Sequence, residues 1–168
     1  CRQDVGDRFE ILNDVGDAFL VEVQDLQKRT ANATIVSQRK IPPLPTPEIH
    51  LALSFPRPPV FEAVLEKSVE LGVSCIHPFV SQFSFVREVE SKALGNKRER
   101  WQKILRSAQQ QSGRGQPLTL APLISLDDLF SKFNQQANAL GLFSYEGPCE
   151  KSISDLLEPA KINDLSEI

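Results

Sequence analysis

The chain has 168 residues, of which 40% are hydrophobic and 24% are charged, and its formal net charge is −3. This length allows one domain or two small ones with a hydrophobic core. No stretch approaches the roughly 20 consecutive apolar residues of a membrane-spanning helix, which excludes a transmembrane protein and favours a cytoplasmic one. Because the chain opens at Cys1 and contains no methionine, we expect it to be part of a longer protein.

Alternating hydrophobic residues predict a small β module at the start of the chain. Arg8–Leu12 and Ala18–Val23 flank the turn residues Asp14–Asp17, which is the pattern of a hairpin. Ala31–Val36 is predicted to be a third strand. So few strands would be only marginally stable alone. We therefore expect residues 1–41 to form a truncated barrel or a module that rests on its neighbour.

Four prolines within residues 42–47 predict a stiff linker. Strand and helix patterns then alternate through residues 48–168, which predicts an α/β domain with a parallel sheet covered on both faces. The predicted strands are Glu48–Ser54, Ser74–Val80 with an interruption at Pro78, Leu118–Leu123 and Ala139–Tyr145. The predicted helices are Pro58 to a cap at Gly72, Lys92–Gln111, a cap at Ser125 through Phe133, and Ser152–Leu157.

The cysteines and histidines offer little catalytic chemistry. Cys1, Cys75 and Cys149 are too far apart for a paired-thiol motif, so we expect buried, reduced thiols. His50 and His77 fall in predicted strands as core or edge residues, and the sequence predicts no metal site. It also lacks a Walker A loop, a GxGxxG motif and a GxSxG motif.

Positive charge is concentrated in residues 87–114, which carry eight basic and three acidic side chains. Arg100 and Arg106 belong to this stretch and are candidates for contacts to nucleic-acid phosphates, which release counterions when they form. A solvated helix face has the same composition, and the negative charge of the whole chain disfavours bulk nucleic-acid binding.

Two predicted helices end in polar residues that could meet in one cleft. Lys67 and Glu70 lie three residues apart at the end of the first helix. Gln111, Ser112 and Arg114 lie at the end of the second. A surface salt bridge and ordinary helix capping would explain the same residues. Arg114 is the most informative of them because its permanently charged, forked guanidinium suits phosphate or another anion.

These segments resemble a known family in their order and spacing. The similar segments are Phe61–Val73, Ile76–Val80, Arg100–Ile104 and Ala108–Arg114, with Pro117 and Pro122 downstream. Over residues 48–145 the chain resembles the RsmE-type ribosomal RNA methyltransferases of the SPOUT superfamily. Val5–Asp7 and the strands that follow resemble the end of that family's N-terminal PUA-like barrel.

The resemblance implies an incomplete SPOUT-type domain of the trefoil-knot family over residues 48–168, preceded by a partial PUA-like barrel over residues 1–41 that helps to grip RNA. It implies methylation of N3 of one uridine in 16S rRNA of the small ribosomal subunit. The implied cofactor is S-adenosylmethionine, and the implied active form is a homodimer on the assembled subunit.

The resemblance also suggests roles for particular residues. Arg114 and Gln111 would contact the target nucleotide or its phosphate as catalytic residues. The other expected substrate-binding residues are Lys67, Glu70, Ser112, Arg100 and Arg106, and the expected cofactor-binding residues are Tyr145 and Glu146. Arg114→Ala is accordingly expected to lower methylation far more than thermal stability.

The chain departs from the family pattern where the knot and the main cofactor loops would follow. It contains neither a GPEGG-type loop nor an LGxRILRxETA-type segment. We therefore expect an active parent protein and an inactive chain as it stands. One alternative is a non-catalytic RNA-binding or ribosome-binding module with a degenerate methyltransferase domain. A weaker one, a small-molecule enzyme on a doubly wound sheet, would require a phosphate loop that the sequence lacks.

Overall fold

The computed structural model describes residues 3–89, 97–144, 146–148, 152–157 and 165–166. An antiparallel sheet is followed by a parallel sheet and four helices. The strands are β1 (Arg8–Leu12), β2 (Asp17–Leu26), β3 (Ala31–Lys40), β4 (His50–Ser54), β5 (Cys75–Val80), β6 (Thr119–Leu120) and β7 (Ile124–Ser125). The helices are α1 (Pro58–Glu70), α2 (Arg98–Ser112), α3 (Leu126–Phe133) and α4 (Ile153–Leu156). None of the described helices is long and apolar enough to cross a membrane.

The predicted hairpin and third strand are confirmed as a three-stranded antiparallel sheet with β2 in the centre. β2 and β3 are each longer than predicted, because the alternation continues through polar residues that pair across the two strands. Ala18, Val21 and Val23 of β2 are buried, whereas β3 is exposed along its whole length. The sheet therefore has one buried side at its centre, and its assignment as a PUA-like barrel stays a prediction.

Residues 13–17 connect β1 to β2 and are called the β1–β2 turn. Their side chains hold the turn together. Asn13 Oδ1 accepts hydrogen bonds from the backbone N–H groups of Val15 and Asp17, and Asn13 Nδ2 donates to Asp17 Oδ2. Lys40 Nζ lies 2.7 Å from Asp17 Oδ1. The Lys40 ammonium and the Asn13 amide together lower the pKa of the Asp17 carboxyl to about 2. The turn thus depends on an ionised Asp17.

Acid should therefore loosen this turn. Because the pKa of Asp17 is lower in the folded chain than its ordinary value of 3.8, its carboxylate stabilises the fold above that pH and loses this effect as the pH falls towards 2. We expect the melting temperature to fall less steeply between pH 5 and pH 2 in Asp17→Asn than in the wild type. Asp14→Asn, in the same turn, is the control and should follow the wild type. If the melting temperatures of Asp17→Asn and the wild type fell equally steeply with pH, this expectation would be contradicted.

The parallel sheet has β5 in its centre, with β4 on one side and β6 and β7 on the other. The predicted strand Leu118–Leu123 is wrong as one continuous element, since only Thr119 and Leu120 pair within it. Pro122, which has no backbone N–H to donate, lies in the gap between β6 and β7. Pro78 does not interrupt β5 as expected, because it lies opposite Leu53 within an unbroken register.

α1 and α2 begin and end where the sequence favours it. Pro58 and Pro59 open α1, and Gly72 follows it with a φ of 85°. α2 ends at Gly113, whose φ of 71° is the left-handed conformation of a helix cap. The predicted start of α2 at Lys92 lies outside the described residues, within which the helix begins at Arg98.

The hydrophobic core lies between the two helices and one face of the parallel sheet. The largest buried side chains include Phe55 after β4, Phe61 and Leu65 on α1, and Ile76 on β5. On the opposite face of the sheet, Ala52 of β4 is exposed. His50 and Ser54 on the same face are half-buried, so this face is only partly covered at β4.

The predicted strand Ala139–Tyr145 is also wrong. Ala139 forms an isolated bridge, residues 140–144 have no regular structure, and Tyr145 lies outside the described residues. An apolar run indicates burial but does not by itself supply a neighbouring strand to pair with. Because this segment does not pair with a neighbouring strand, the side chain of Phe143 is 85% exposed. The last predicted helix is confirmed as the short α4, capped by Ser152.

Candidate functional site

The C-terminal ends of α1 and α2 meet at one pocket of about 230 Å³. Glu70 lines it from α1, and residues 112–116 line it from the end of α2 and the loop that follows. A third wall comes from Ile41 at the end of the N-terminal module and from Pro42 and Leu44 of the linker. The expected convergence of the two helix ends is therefore present, and the proline-rich segment is part of the site as well as a connection.

Arg114 is the buried polar residue of this pocket and is only 7% exposed. Its Nε donates a hydrogen bond to the backbone oxygen of Gln116 at 2.6 Å, and its Nη1 donates to the backbone oxygen of Val73 at 2.7 Å. Nη1 is also 3.5 Å from the backbone oxygen of Val69. The guanidinium thereby joins the end of α1 to the loop after α2.

The charge of Arg114 has no carboxylate partner within the described ranges. In the described part of the chain its hydrogen bonds go to backbone oxygens, and its Nη2 donates none there. Burial lowers the pKa of Arg114, but an arginine in a protein stays protonated at neutral pH. A buried cation without a counter-ion is costly unless an anion or further acceptors complete its shell. The pocket is therefore suited to an anionic or carbonyl-bearing ligand.

Glu70 does not neutralise Arg114, because its carboxylate is engaged elsewhere. Lys67 Nζ lies 2.7 Å from Glu70 Oε2, and the pair is largely exposed. Glu70 raises the pKa of Lys67 through this contact. The surface salt bridge, which was the alternative explanation for these two residues in the sequence, is thus formed. Glu70 lies on the pocket wall and Lys67 on the outer surface.

Ser112 and Gln111 lie at the end of α2 in different surroundings. Ser112 lines the pocket and donates its hydroxyl to the backbone oxygen of Gln109 at 3.2 Å, which is a capping contact. Gln111 is exposed and lies outside the pocket lining. Of the two, Ser112 has the better access to a bound ligand.

Arg100 and Arg106 are not brought to the pocket. Arg100, at the start of α2, forms two hydrogen bonds of 2.8 Å with the carboxylate of Glu62 on α1 and lowers the pKa of that carboxyl. At 1.5 Å per residue it lies roughly 18 Å along the helix from Ser112. Arg106 is exposed and 3.9 Å from Asp14 of the β1–β2 turn. Arg100 therefore holds the two helices together, and Arg106 faces the N-terminal sheet.

The predicted cofactor residues add little to the pocket. Glu146 is exposed and does not line it, and Tyr145 lies outside the described residues. No three histidine, cysteine, aspartate or glutamate side chains among the described residues are grouped to hold a metal ion. Cys75 is buried, as expected, while Cys1 and Cys149 lie outside the described residues.

Two features of the site were not predicted. Gly115, next to Arg114, is buried against Ile41, which directly precedes the linker. The only signal in the sequence was that glycines flank Arg114 on both sides. Three serines also cluster at the carboxyl ends of β4 and β5, where Ser54 Oγ lies 2.6 Å from Ser81 Oγ and 3.1 Å from Ser84 Oγ. Ligands of parallel sheets bind at this edge, and Ser54 is too far along the chain from the other two serines for a sequence motif to join them.

Residues 42–165 match the family model of the RNA methyltransferase domain. The chain belongs to the RNA methyltransferase domain family. It is 32% identical over 120 residues to the ribosomal RNA small subunit methyltransferase E of Synechocystis, an alignment that covers 70% of this chain and 37% of that protein. It is 25% identical over 135 residues to the protein of the same name from Bacillus subtilis, with 78% and 51% covered. The RsmE-type resemblance is thereby confirmed.

Solved structures of methyltransferases share the fold of this RNA methyltransferase domain. The ribosomal RNA small subunit methyltransferase E of Neisseria gonorrhoeae, bound to S-adenosyl methionine, superposes with a TM-score of 0.69 at 26% identity, over 81% of this chain and 54% of that one. A Legionella pneumophila methyltransferase in complex with the same cofactor gives 0.70 at 25% identity, over 85% and 60%. The chain spans about half the length of the relatives it matches.

Proposed function

We propose that the protein to which this chain belongs transfers a methyl group to N3 of a uridine in 16S rRNA, and that the Arg114 pocket binds the target nucleotide. The observation that carries the proposal is that the buried Arg114 lines the pocket while its guanidinium has no carboxylate partner in the described part of the chain. The family match and the similarity to proteins named as ribosomal RNA methyltransferases support it.

The size of the pocket favours the nucleotide over the cofactor. Sites that enclose a drug-sized ligand have volumes of about 300–1,000 Å³. The Arg114 pocket, at about 230 Å³, suits a nucleobase or a phosphate better than a whole S-adenosylmethionine. We propose that S-adenosylmethionine is the cofactor, that segments outside this pocket hold most of it, and that Tyr145 and Glu146 contribute to them.

Methylation at N3 requires that negative charge on the target base be stabilised. N3 of uridine carries a weakly acidic proton, and its removal leaves negative charge shared with the neighbouring carbonyl oxygens. S-adenosylmethionine, when bound, supplies the methyl group. Arg114 would stabilise the charge of the base, and because backbone oxygens already orient its guanidinium, little reorganisation is needed. Ser112 and Glu70 would form the wall beside the base, and Gln111 its outer rim.

We also propose a homodimer that acts on the assembled small subunit in the cytoplasm. The support is the resemblance to the RsmE-type family. The exposed arginines Arg100 and Arg106 and the exposed Lys67 lie on surfaces that an RNA strand leaving the pocket could cross. Each phosphate contact of this kind would make RNA binding weaker at higher salt.

Binding of a short uridine oligonucleotide tests the proposed pocket. Arg114→Lys keeps the positive charge but replaces a forked donor with a single ammonium, and we expect it to weaken binding about tenfold. Arg57→Lys, at an exposed position before α1, is the matched control and should bind as the wild type does. Measured by fluorescence anisotropy, equal affinities for Arg114→Lys and the wild type would remove Arg114 from the RNA site. Normal binding without methyl transfer by the natural-length protein would favour the non-catalytic module.

A further inference from the structure

The β1–β2 turn packs directly against the loop that carries Arg114. The N–H of Ile41 donates to the backbone oxygen of Gly16 in this turn at 2.8 Å. Gly115 lies close to the same two residues, and a Cβ atom on it would clash with them. We propose that the β1–β2 turn holds Arg114 in position, so that the N-terminal sheet helps to fix the geometry of the pocket.

The contact at Gly115 leaves no free space. A Cβ atom there would lie 2.8 Å from Ile41 Cβ and 3.2 Å from Gly16 Cα. The second of these atoms is backbone, which cannot rotate away as the end of a flexible side chain can. A displacement of Gly16 towards the loop would therefore press on Gly115.

The turn is built to resist such a displacement. Asn13 closes it with three side-chain hydrogen bonds, and the Asp17 carboxylate is held by Lys40. Gly16 has a φ of 84°, a conformation that other residues rarely adopt. The β1–β2 turn thus offers a fixed surface to the loop after α2.

Arg114 is tied to Gly115 through its own hydrogen bond. Its Nε donates to the backbone oxygen of Gln116, so that the side chain reaches across Gly115. A shift of Gly115 therefore changes the donor–acceptor distance of that bond directly. A further contact, 3.9 Å between Arg106 of α2 and Asp14, joins the turn to the same helix that leads into this loop. The position of the guanidinium thus depends on the turn.

The Nε–Hε signal of Arg114 in a ¹H–¹⁵N spectrum reports this position without any ligand. It is assigned by its disappearance in Arg114→Lys. In Gly115→Ala we expect the signal to shift or broaden, and in the double variant Gly115→Ala, Ile41→Gly, which removes the nearest clashing atoms, we expect it to return towards the wild-type position. Gly141→Ala is the matched control, since a Cβ there would lie 2.8 Å from the Phe133 ring, and it should leave the Arg114 signal unchanged.

A second variant decides the matter if Gly115→Ala does not fold. Asn13→Ala removes the three side-chain bonds of the turn and adds no atom near Arg114. It should move the same Nε–Hε signal. An Arg114 signal that stays in place in Asn13→Ala, and in Gly115→Ala where that variant folds, would overturn the proposal.

The role of the β1–β2 turn in RNA binding rests on the proposed function. The affinity for the uridine oligonucleotide distinguishes a failure of this inference from a failure of that function. If both hold, Gly115→Ala should weaken binding about tenfold, as Arg114→Lys does, and Ile41→Gly should restore part of the loss in the double variant. A moved signal with unchanged affinity in Arg114→Lys would uphold the positioning role and contradict the proposed function. A loss of affinity in Arg114→Lys with an unmoved signal in Gly115→Ala would support the proposed function and contradict the positioning role.

Discussion

Replacing Arg114 by alanine is expected to lower the free energy of unfolding by about 2–4 kcal/mol, because the backbone oxygens of Val73 and Gln116 lose their donor in a buried setting. The sequence had led us to expect that this substitution would affect methylation far more than stability. The burial of Arg114 alters that expectation, and both should fall.

Chemical denaturation measures this effect directly. Arg57→Ala is the control, since surface substitutions usually change stability by less than about 0.5 kcal/mol. An Arg114→Ala variant as stable as Arg57→Ala would mean that the guanidinium does not hold α1 and the following loop together. For the same reason Arg114→Lys, which keeps a buried cation, is the better variant for functional assays.

The second large effect is expected at Phe61. This residue of α1 is fully buried, with ring centroids 4.8 Å from Phe55 and 4.9 Å from Trp101 of α2. Phe61→Ala should cost about 3–5 kcal/mol through lost burial and the cavity that remains. Because the three rings fix the two helices whose ends form the pocket, we also expect weaker RNA binding.

Urea denaturation of Phe61→Ala and Phe61→Leu tests this role. The leucine variant fills much of the space and should lose roughly half as much stability or less. Phe143→Ala is the matched control, because Phe143 is 85% exposed and should contribute within about 0.5 kcal/mol. A loss at Phe61 no larger than that at Phe143 would contradict the position of Phe61 in the core.

Local signals in the sequence were sufficient for most elements. The prolines at the start of α1 and the glycine after it act within a few residues, and the hairpin pattern around Asp14–Asp17 does the same. The strands β4 and β5 were also placed within two residues, whereas the two later strand predictions failed because their extent depends on distant partners. The apolar run Ala139–Tyr145 looks like a strand but has no continuous pairing, and Pro122 separates β6 from β7.

The candidate site was predictable in outline and not in detail. The polar ends of the two helices indicated a shared cleft, and Glu70 and Arg114 do line one pocket. A sequence does not reveal that Arg114 is buried or that Arg100 is paired with Glu62, because both facts depend on how α1 and α2 pack. The contact between Gly115 and the β1–β2 turn spans about a hundred residues of chain and leaves no local signal.

Methyl transfer by the natural-length protein tests the central claim most directly. Tritium transfer from S-adenosylmethionine to small ribosomal subunits that lack the modification would be compared for the wild type, Arg114→Lys and Arg57→Lys. We expect Arg114→Lys to lose about 100-fold or more of the activity, the usual effect of losing a charge-stabilising donor, and Arg57→Lys to keep it. Transfer by Arg114→Lys at the wild-type rate would show that the pocket at the ends of α1 and α2 does not hold the reacting nucleotide.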